Sequence, residues 1–361
     1  MDQEYFPGNW DDWKKKSPQD VGMDHHSVDD AIAFANEHET KAWPTDIGQQ
    51  LLATNKKRCD DGETLGPTKP RTGVNGVILR HGYIVAEWGD TKRADMTFSI
   101  TKSYLSTVAG LAFDRNLIRN VQDYVAEYVQ DGHFDPPHNS KIKWHHLLQQ
   151  TNEWEGTLWG KHYSAGCPLD IVRKPEEPGT YYEYNDVRVN LTSLALLNVW
   201  RRPLPQVLKE YVMDPIGASN TWRWYGYKNS WVVIDGANVQ SVSGGGHWGG
   251  GLQISSRDHA RFGLLFLRRG LWGEMRIISE KWIEMATTPG DVNPLYGYMW
   301  HLNPGQKRLP SAPEKSFMAT GGSANRIWVD PVHDLVVVVR WIEGEKYFDG
   351  VLERLLKGIQ D

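Results

Sequence analysis

A serine followed three residues later by a lysine puts a hydroxyl and an amine one helical turn apart, so the amine can reach the hydroxyl. The chain has this spacing twice, at Ser99–Lys102 and at Ser140–Lys143. Context separates the two. Ser140 follows Pro136-Pro137-His138-Asn139 and reads as a loop or a helix cap. Ser99 opens an apolar helix with Tyr104, Leu105, Val108, Ala109, Leu111 and Ala112, so its side chain and amide sit at the positive end of that helix dipole. A nucleophile there has its own backbone N–H at hand as an oxyanion donor; the alternative is a serine that only caps the helix. A second candidate segment, Pro178-Gly179-Thr180-Tyr181-Tyr182-Glu183-Tyr184-Asn185-Asp186, runs into another helix.

Other chemistries find no support. The chain has no G-x-S-x-G elbow, no H-E-x-x-H, no C-x-x-C and no Walker loop. Gly244-Gly245-Gly246-His247-Trp248-Gly249 fits G-x-G-x-x-G, but no clear strand precedes it, and it reads as a tight turn where backbones approach closely. The His25-His26 and His145-His146 pairs lack a partner at metal-ligand spacing. Cys59 and Cys167 can make one bridge or remain two thiols. No cofactor or metal is expected.

The elements that must position these residues follow from hydrophobic periodicity. Helices are predicted over Ser27–Asn36, Trp144–Gln150, Val187–Trp200, Pro205–Val212, Arg257–Arg268, Ser279–Met285 and Phe348–Ile359. Val74–Leu79 and Tyr83–Trp88 flank a hairpin turn, and Arg326–Val329 and Leu335–Trp341 are β-branched runs. The expected fold is therefore α/β in the α+β sense. One sheet is built from both ends of the chain (about 1–95 and 290–361) and flanked by terminal helices, with a mainly helical unit (about 96–289) inserted. The 361 residues carry 40 basic and 45 acidic side chains, a net charge of −5, and no basic tract of a kind that argues for nucleic acid. No apolar run approaches the ~18 residues of a membrane span. The first residues do not read as a signal peptide, which suggests a cytoplasmic enzyme as written, or a periplasmic or secreted one if a leader was removed.

Taken together, Ser99-Ile100-Thr101-Lys102 and the Tyr184 segment resemble the serine β-lactamase-related hydrolases. These include class C β-lactamases, DD-peptidases, family VIII esterases and 6-aminohexanoate-dimer hydrolases. Their second motif is typically P-G-x-x-F-x-Y-S-N, with Tyr184 and Asp186 on its Tyr and Asn. Further segments agree in order. His146-Leu147-Leu148-Gln149-Gln150-Thr151 is similar to H-L-L-x-x-T-S-G, with Asn152-Glu153 where Ser-Gly is usual. Gly249-Gly250-Gly251-Leu252-Gln253-Ile254-Ser255-Ser256-Arg257-Asp258 resembles G-G-G-L-x-S-T-x-x-D. Tyr296-Gly297-Tyr298-Met299-Trp300 resembles Y-G-Y-G-W, and Ala319-Thr320-Gly321-Gly322 stands at the third motif, K/H-T/S-G. The resemblance spans roughly Ser17 to Trp341 and implies a β-lactamase/DD-peptidase-like fold.

It also implies roles. Ser99 would attack an ester or amide carbonyl and form an acyl-enzyme, activated by Lys102 and Tyr184. Which of the two is the immediate base stays open. The amides of Ser99 and Gly322 would form the oxyanion hole. Two positions depart from the pattern. Asp186 replaces Asn; it would hold Lys102 protonated, bind a substrate ammonium, or simply cap its helix. Ala319 replaces the cation that receives a carboxylate in β-lactamases and DD-peptidases, which favours esterases and amide-oligomer hydrolases. Trp154, Trp159, Tyr163 and Trp248 lie in segments that border the cleft in such folds and could line an acyl pocket, or serve only as packing. The expected activity is a serine hydrolase acting on a small-molecule ester or amide. A β-lactamase or D-aminopeptidase-type peptidase, and a non-catalytic sensor, are the alternatives.

Overall fold

The computed structural model describes residues 4–55, 63–165, 173–322 and 324–360, so Cys59 and Cys167 lie outside the described residues. Helix α1 (His25–Glu37) starts at Asp24, whose carboxylate accepts from the Ser27 amide, and it buries Val28, Ala31 and Ala35 at helical spacing. After α2 (Ile47–Asn55), strands β1 (Asn75–Arg80) and β2 (Tyr83–Trp88) form a hairpin. Its two turn residues, His81 and Gly82, both have positive φ, the geometry whose twist matches paired strands. The short β3 (Asp95–Met96) leads into α3 (Ile100–Asp114), in which every residue from Ile100 to Ala112 is buried.

The middle of the chain contains α4 (Trp144–Gln149), the small hairpin β4 (Thr157–Leu158) and β5 (Lys161–His162), α5 (Asp186–Trp200) and α6 (Leu204–Leu208). Where the sequence predicts helix to Val212, α6 ends at Leu208 and continues as a π turn over Lys209–Met213. Next come β6 (Arg223–Ile234), β7 (Ala237–Val242), β8 (Gly251–Ile254), α7 (Ser256–Leu267), the paired β9 (Leu271–Trp272) and β10 (Met275–Arg276), and α8 (Glu280–Ala286). This stretch is less helical than its pattern suggests, because β3, β8, β6 and β7 make a second sheet in that order.

The last segment returns to the first sheet. Strands β11 (His301–Leu302), β12 (Phe317–Gly321), β13 (Asn325–Asp330) and β14 (Leu335–Arg340) join the first hairpin in the order β11-β12-β13-β14-β1-β2, all neighbours antiparallel. Helix α9 (Gly344–Lys357) closes the chain against α1. The unbroken apolar run of β14 has a simple cause: both faces of the sheet are covered. Val337 and Val339 pack with α1 and α9, while Val336 and Val338 face the core that holds α3 and α7. In α7, Gly263 lets the helix sit directly on the sheet; a Cβ there would fall 2.6 Å from Val336 and 3.0 Å from Ile327. Among the described residues no helix is long and apolar enough to cross a membrane.

Replacing Gly263 by leucine should therefore lower stability by about 1–3 kcal/mol through overpacking, read as a lower urea midpoint.

Candidate active site

Ser99 sits where a strand becomes a helix. Phe98, just before it, has φ 51, a left-handed conformation that costs a non-glycine residue about 1–2 kcal/mol. The strain is held by packing: the Phe98 ring lies 4.5 Å from that of Trp43 and edge-on to that of Trp341 at 6.3 Å. Ser99 takes the first position of α3, but its side chain caps nothing. Its Oγ instead accepts a hydrogen bond from Lys102 Nζ at 2.9 Å. The second S-x-x-K pair is not assembled: Ser140 lies in a 3-10 turn and Lys143 Nζ reaches Gln122 at 3.4 Å.

Lys102 is buried, and its ammonium also donates to Asp186 Oδ1 at 2.6 Å and lies 4.5 Å from the centre of the Tyr184 ring. Burial alone would depress the lysine pKa, but the Asp186 charge and, after it, Tyr184 raise it above its ordinary value. Asp186 shows the reciprocal effect. Burial pushes its carboxyl up, yet Lys102 and His247 together pull it well below the usual carboxylate range. The capping role at α5 belongs to Asn185, whose side chain accepts from the Arg188 amide at 3.0 Å. Asp186 therefore turns inward. Its Oδ1 is engaged by Lys102 and its Oδ2 by His247 Nδ1 at 3.2 Å.

Tyr184 is half-buried in an extended segment that the turn after α4 holds in place. The amides of Gly179, Glu183 and Asn185 donate to Thr151 O, Gln150 O and Gln150 Oε1, at 2.7, 3.1 and 2.9 Å. The same turn explains Glu153. It has φ 50 where the family pattern has glycine, and its buried carboxylate is bonded to Arg188, to Arg173 and to the Glu176 amide. Arg188 also pairs with Glu183, next to Tyr184. The departure at Glu153 is thus an anchor for the Tyr184 segment.

On the other side of Ser99, β12 ends against the start of α3. A Cβ on Gly321 would lie 2.1 Å from Thr97 O and 3.1 Å from Ser99 N. Gly322 follows at φ 55 against the rings of Phe98 and Trp43. Neither the Ser99 nor the Gly322 amide donates a hydrogen bond to another described residue. Ala319, paired with Ile327 in β12–β13, is buried and brings no charge.

The aromatic candidates differ in exposure. Trp154 is buried in the core with its Nε1 donating to His133 O at 2.8 Å, and Trp248 is fully buried beneath the glycine-rich turn. Both are packing residues, not cleft walls. Tyr163 is buried too, its carbonyl accepting from Asn185 Nδ2 and its hydroxyl donating to Arg173 O. Trp159 is half-buried, with its carbonyl accepting from Asn229. Among the described residues no three His, Cys, Asp or Glu side chains cluster as metal ligands.

Sequence reasoning did not single out Gly245 or His247 as part of the site. A Cβ on Gly245 would fall 2.1 Å from Asp186 Oδ1 and 2.5 Å from Lys102 Nζ, so only glycine fits over the pair. The signal was the glycine cluster itself, read as a close backbone approach but without what it approaches.

A family model for beta-lactamase matches residues 71–341, three-quarters of the chain. The chain belongs to the beta-lactamase family. It is a serine hydrolase. A curated relative in Escherichia coli O157:H7, named "Putative D-alanyl-D-alanine carboxypeptidase", is 22% identical over 344 residues, covering 74% of this chain and 77% of the relative. Solved structures share the fold. The octameric penicillin-binding protein homologue from Pyrococcus abyssi has a TM-score of 0.61 at 16% identity, over 94% of this chain and 78% of the other. A family VIII carboxylesterase has a TM-score of 0.57 at 18% identity, over 89% and 98%. The β-lactamase-like fold expected from the ordered motifs is the one found.

Gly245→Ala should separate site geometry from folding within this beta-lactamase-family chain. The added methyl must push Lys102 and Asp186 apart, so esterase turnover should fall by about 10-fold or more, while the thermal midpoint moves by only a few degrees. Parallel assays of p-nitrophenyl acetate hydrolysis and thermal unfolding check this.

Proposed function

We propose that the chain cleaves carboxylic esters or amides of small molecules through an acyl-enzyme on Ser99, with Tyr184 as the base and Lys102 as a permanent cation. The observation that supports this most is the pair of bonds at Lys102 Nζ, donating at once to Ser99 Oγ and to Asp186 Oδ1. An ammonium beside a carboxylate at 2.6 Å is a poor proton acceptor. It is a good stabiliser of negative charge on the serine oxygen and on the Tyr184 ring's oxygen.

In this reading the Tyr184 phenolate takes the Ser99 proton as Oγ attacks the carbonyl carbon, and the carbonyl electron pair moves onto its oxygen. That oxyanion is received by the Ser99 and Gly322 amides. Collapse of the tetrahedral intermediate breaks the bond to the leaving alcohol or amine, which takes the proton back from Tyr184. Water then repeats the sequence on the acyl-enzyme and frees the acid.

Ser99→Ala should abolish p-nitrophenyl acetate turnover and fluorophosphonate labelling seen by intact mass, and Ser140→Ala should leave both nearly unchanged. Tyr184→Phe and Lys102→Met should each lower kcat by about 100-fold or more, and the double variant should be little worse than the poorer single one, because the base and the cation that stabilises its charge act as one unit. Labelling that persists in Ser99→Ala, or effects that multiply, would overturn the assignment.

Substrate charge follows from Ala319. Without a cation there, a substrate carboxylate forgoes a charge-assisted hydrogen bond of roughly 1.5–3 kcal/mol. A neutral p-nitrophenyl ester should therefore exceed nitrocefin in kcat/KM by ~10-fold or more, and Ala319→Lys should narrow the gap. Efficient turnover of nitrocefin, or of a D-alanyl-D-alanine peptide, by the unaltered enzyme would favour the β-lactamase or peptidase reading instead.

A further inference from the structure

His247 stands outside every motif that points to the reaction, yet it completes the charge arrangement behind Ser99. It comes from the glycine-rich turn before β8, far in sequence from α3 and α5. Its Nδ1 lies 3.2 Å from Asp186 Oδ2, on the opposite side of that carboxylate from Lys102. A carboxylate can only accept, so Nδ1 carries the proton of this bond. The ring is about 10% exposed, packed 4.5 Å from the Trp248 ring, while the neighbouring Gly245 closes directly over the Lys102–Asp186 contact.

We propose that His247 is a positioning residue for catalysis: it grips Asp186 by Oδ2 so that Oδ1 stays on Lys102, and through that contact keeps the ammonium on Ser99 Oγ. Held only by Lys102, the Asp186 carboxylate could turn about its terminal bond and take the ammonium with it. Bonded on both sides, it is fixed. Lys102, Asp186 and His247 then form one chain of donors and acceptors from α3 across the start of α5 to the glycine turn. This rests on the assignment of Ser99 and Lys102 above and adds a residue on which their geometry depends. His247 is bonded to Asp186, and it is through that carboxylate that its effect on Lys102 and Ser99 would pass.

The test is a double-mutant cycle on the full-length enzyme. His247→Ala should lower kcat for p-nitrophenyl acetate, and the rate of fluorophosphonate labelling, each by about 10-fold with KM nearly unchanged. Asparagine can place its Nδ2 donor close to the position of Nδ1, so His247→Asn should recover most of the rate. Combining His247→Ala with Asp186→Asn should be no slower than Asp186→Asn alone, because the two substitutions break the same chain. Should thermal melting show the alanine variant unfolded, His247→Leu keeps bulk without a donor and takes its place. A donor-free variant at the wild-type rate, an asparagine variant as slow as the alanine one, or effects that multiply with Asp186→Asn would each overturn the role. Failure of the Ser99 assignment would be read separately, as labelling that survives Ser99→Ala.

Discussion

A buried ammonium and a largely buried carboxylate 2.6 Å apart hold this molecule's candidate site together. Taking two such charges out of water costs several kcal/mol each, recovered only when their remaining hydrogen-bonding capacity is met. Much of the local structure serves that need. Asp186 occupies the first turn of α5, where the helix dipole favours a negative charge, and His247 takes its second oxygen. Lys102 spends a further donor on Ser99. Three elements distant in sequence converge on one contact, and a bare glycine lets the last of them come close enough.

The same pairing links the two departures from the family pattern that bear most on activity. An acid at position 186 strengthens the hold on the lysine and demands a second donor, which His247 provides. A small neutral residue at position 319 brings no charge where the family pattern has a cation. The ammonium behind the serine is balanced by a carboxylate 2.6 Å away. Glu153 departs in a different way. It accepts backbone strain at a position that suits glycine, and its carboxylate ties the Tyr184 segment to Arg188 and Arg173.

Much of this was legible in the chain because it is local. The Ser99–Lys102 spacing lies within one helical turn, and the Tyr184 segment precedes its helix directly. The β-branched runs of β13 and β14 and the periodic α1, α5 and α7 depend on near neighbours. What escaped depends on distance or on broken period. Strand β6 mixes aromatic and charged residues and shifts register between Gly226 and Trp231, so no clean alternation survives. The Asp235-Gly236 turn with positive φ at both residues is the hairpin signal that marks β6–β7. His247 was hidden by its setting, since a histidine among glycines says nothing of the carboxylate it will meet. The tryptophans were ambiguous because a large ring with one donor suits a core as well as a cleft; Trp154 and Trp248 went to the core.

Phe98 ties the proposed nucleophile to the order in which the chain is made. The side chains grouped around Ser99, namely Lys102, Tyr184, Asp186 and His247, are all synthesised before the last four strands exist. Yet the left-handed residue that turns Ser99 into place leans on Trp341, and the second oxyanion amide of the proposed mechanism is that of Gly322. A nascent chain that has emerged through β8 holds the complete lysine–aspartate–histidine arrangement in sequence, and Trp43 beside Phe98, but lacks the edge-on contact of Trp341. Under the proposed mechanism, reactivity at Ser99 would therefore arrive with the closing of the sheet. A nucleophile placed there would be completed only when the rest of the protein is present to contain it.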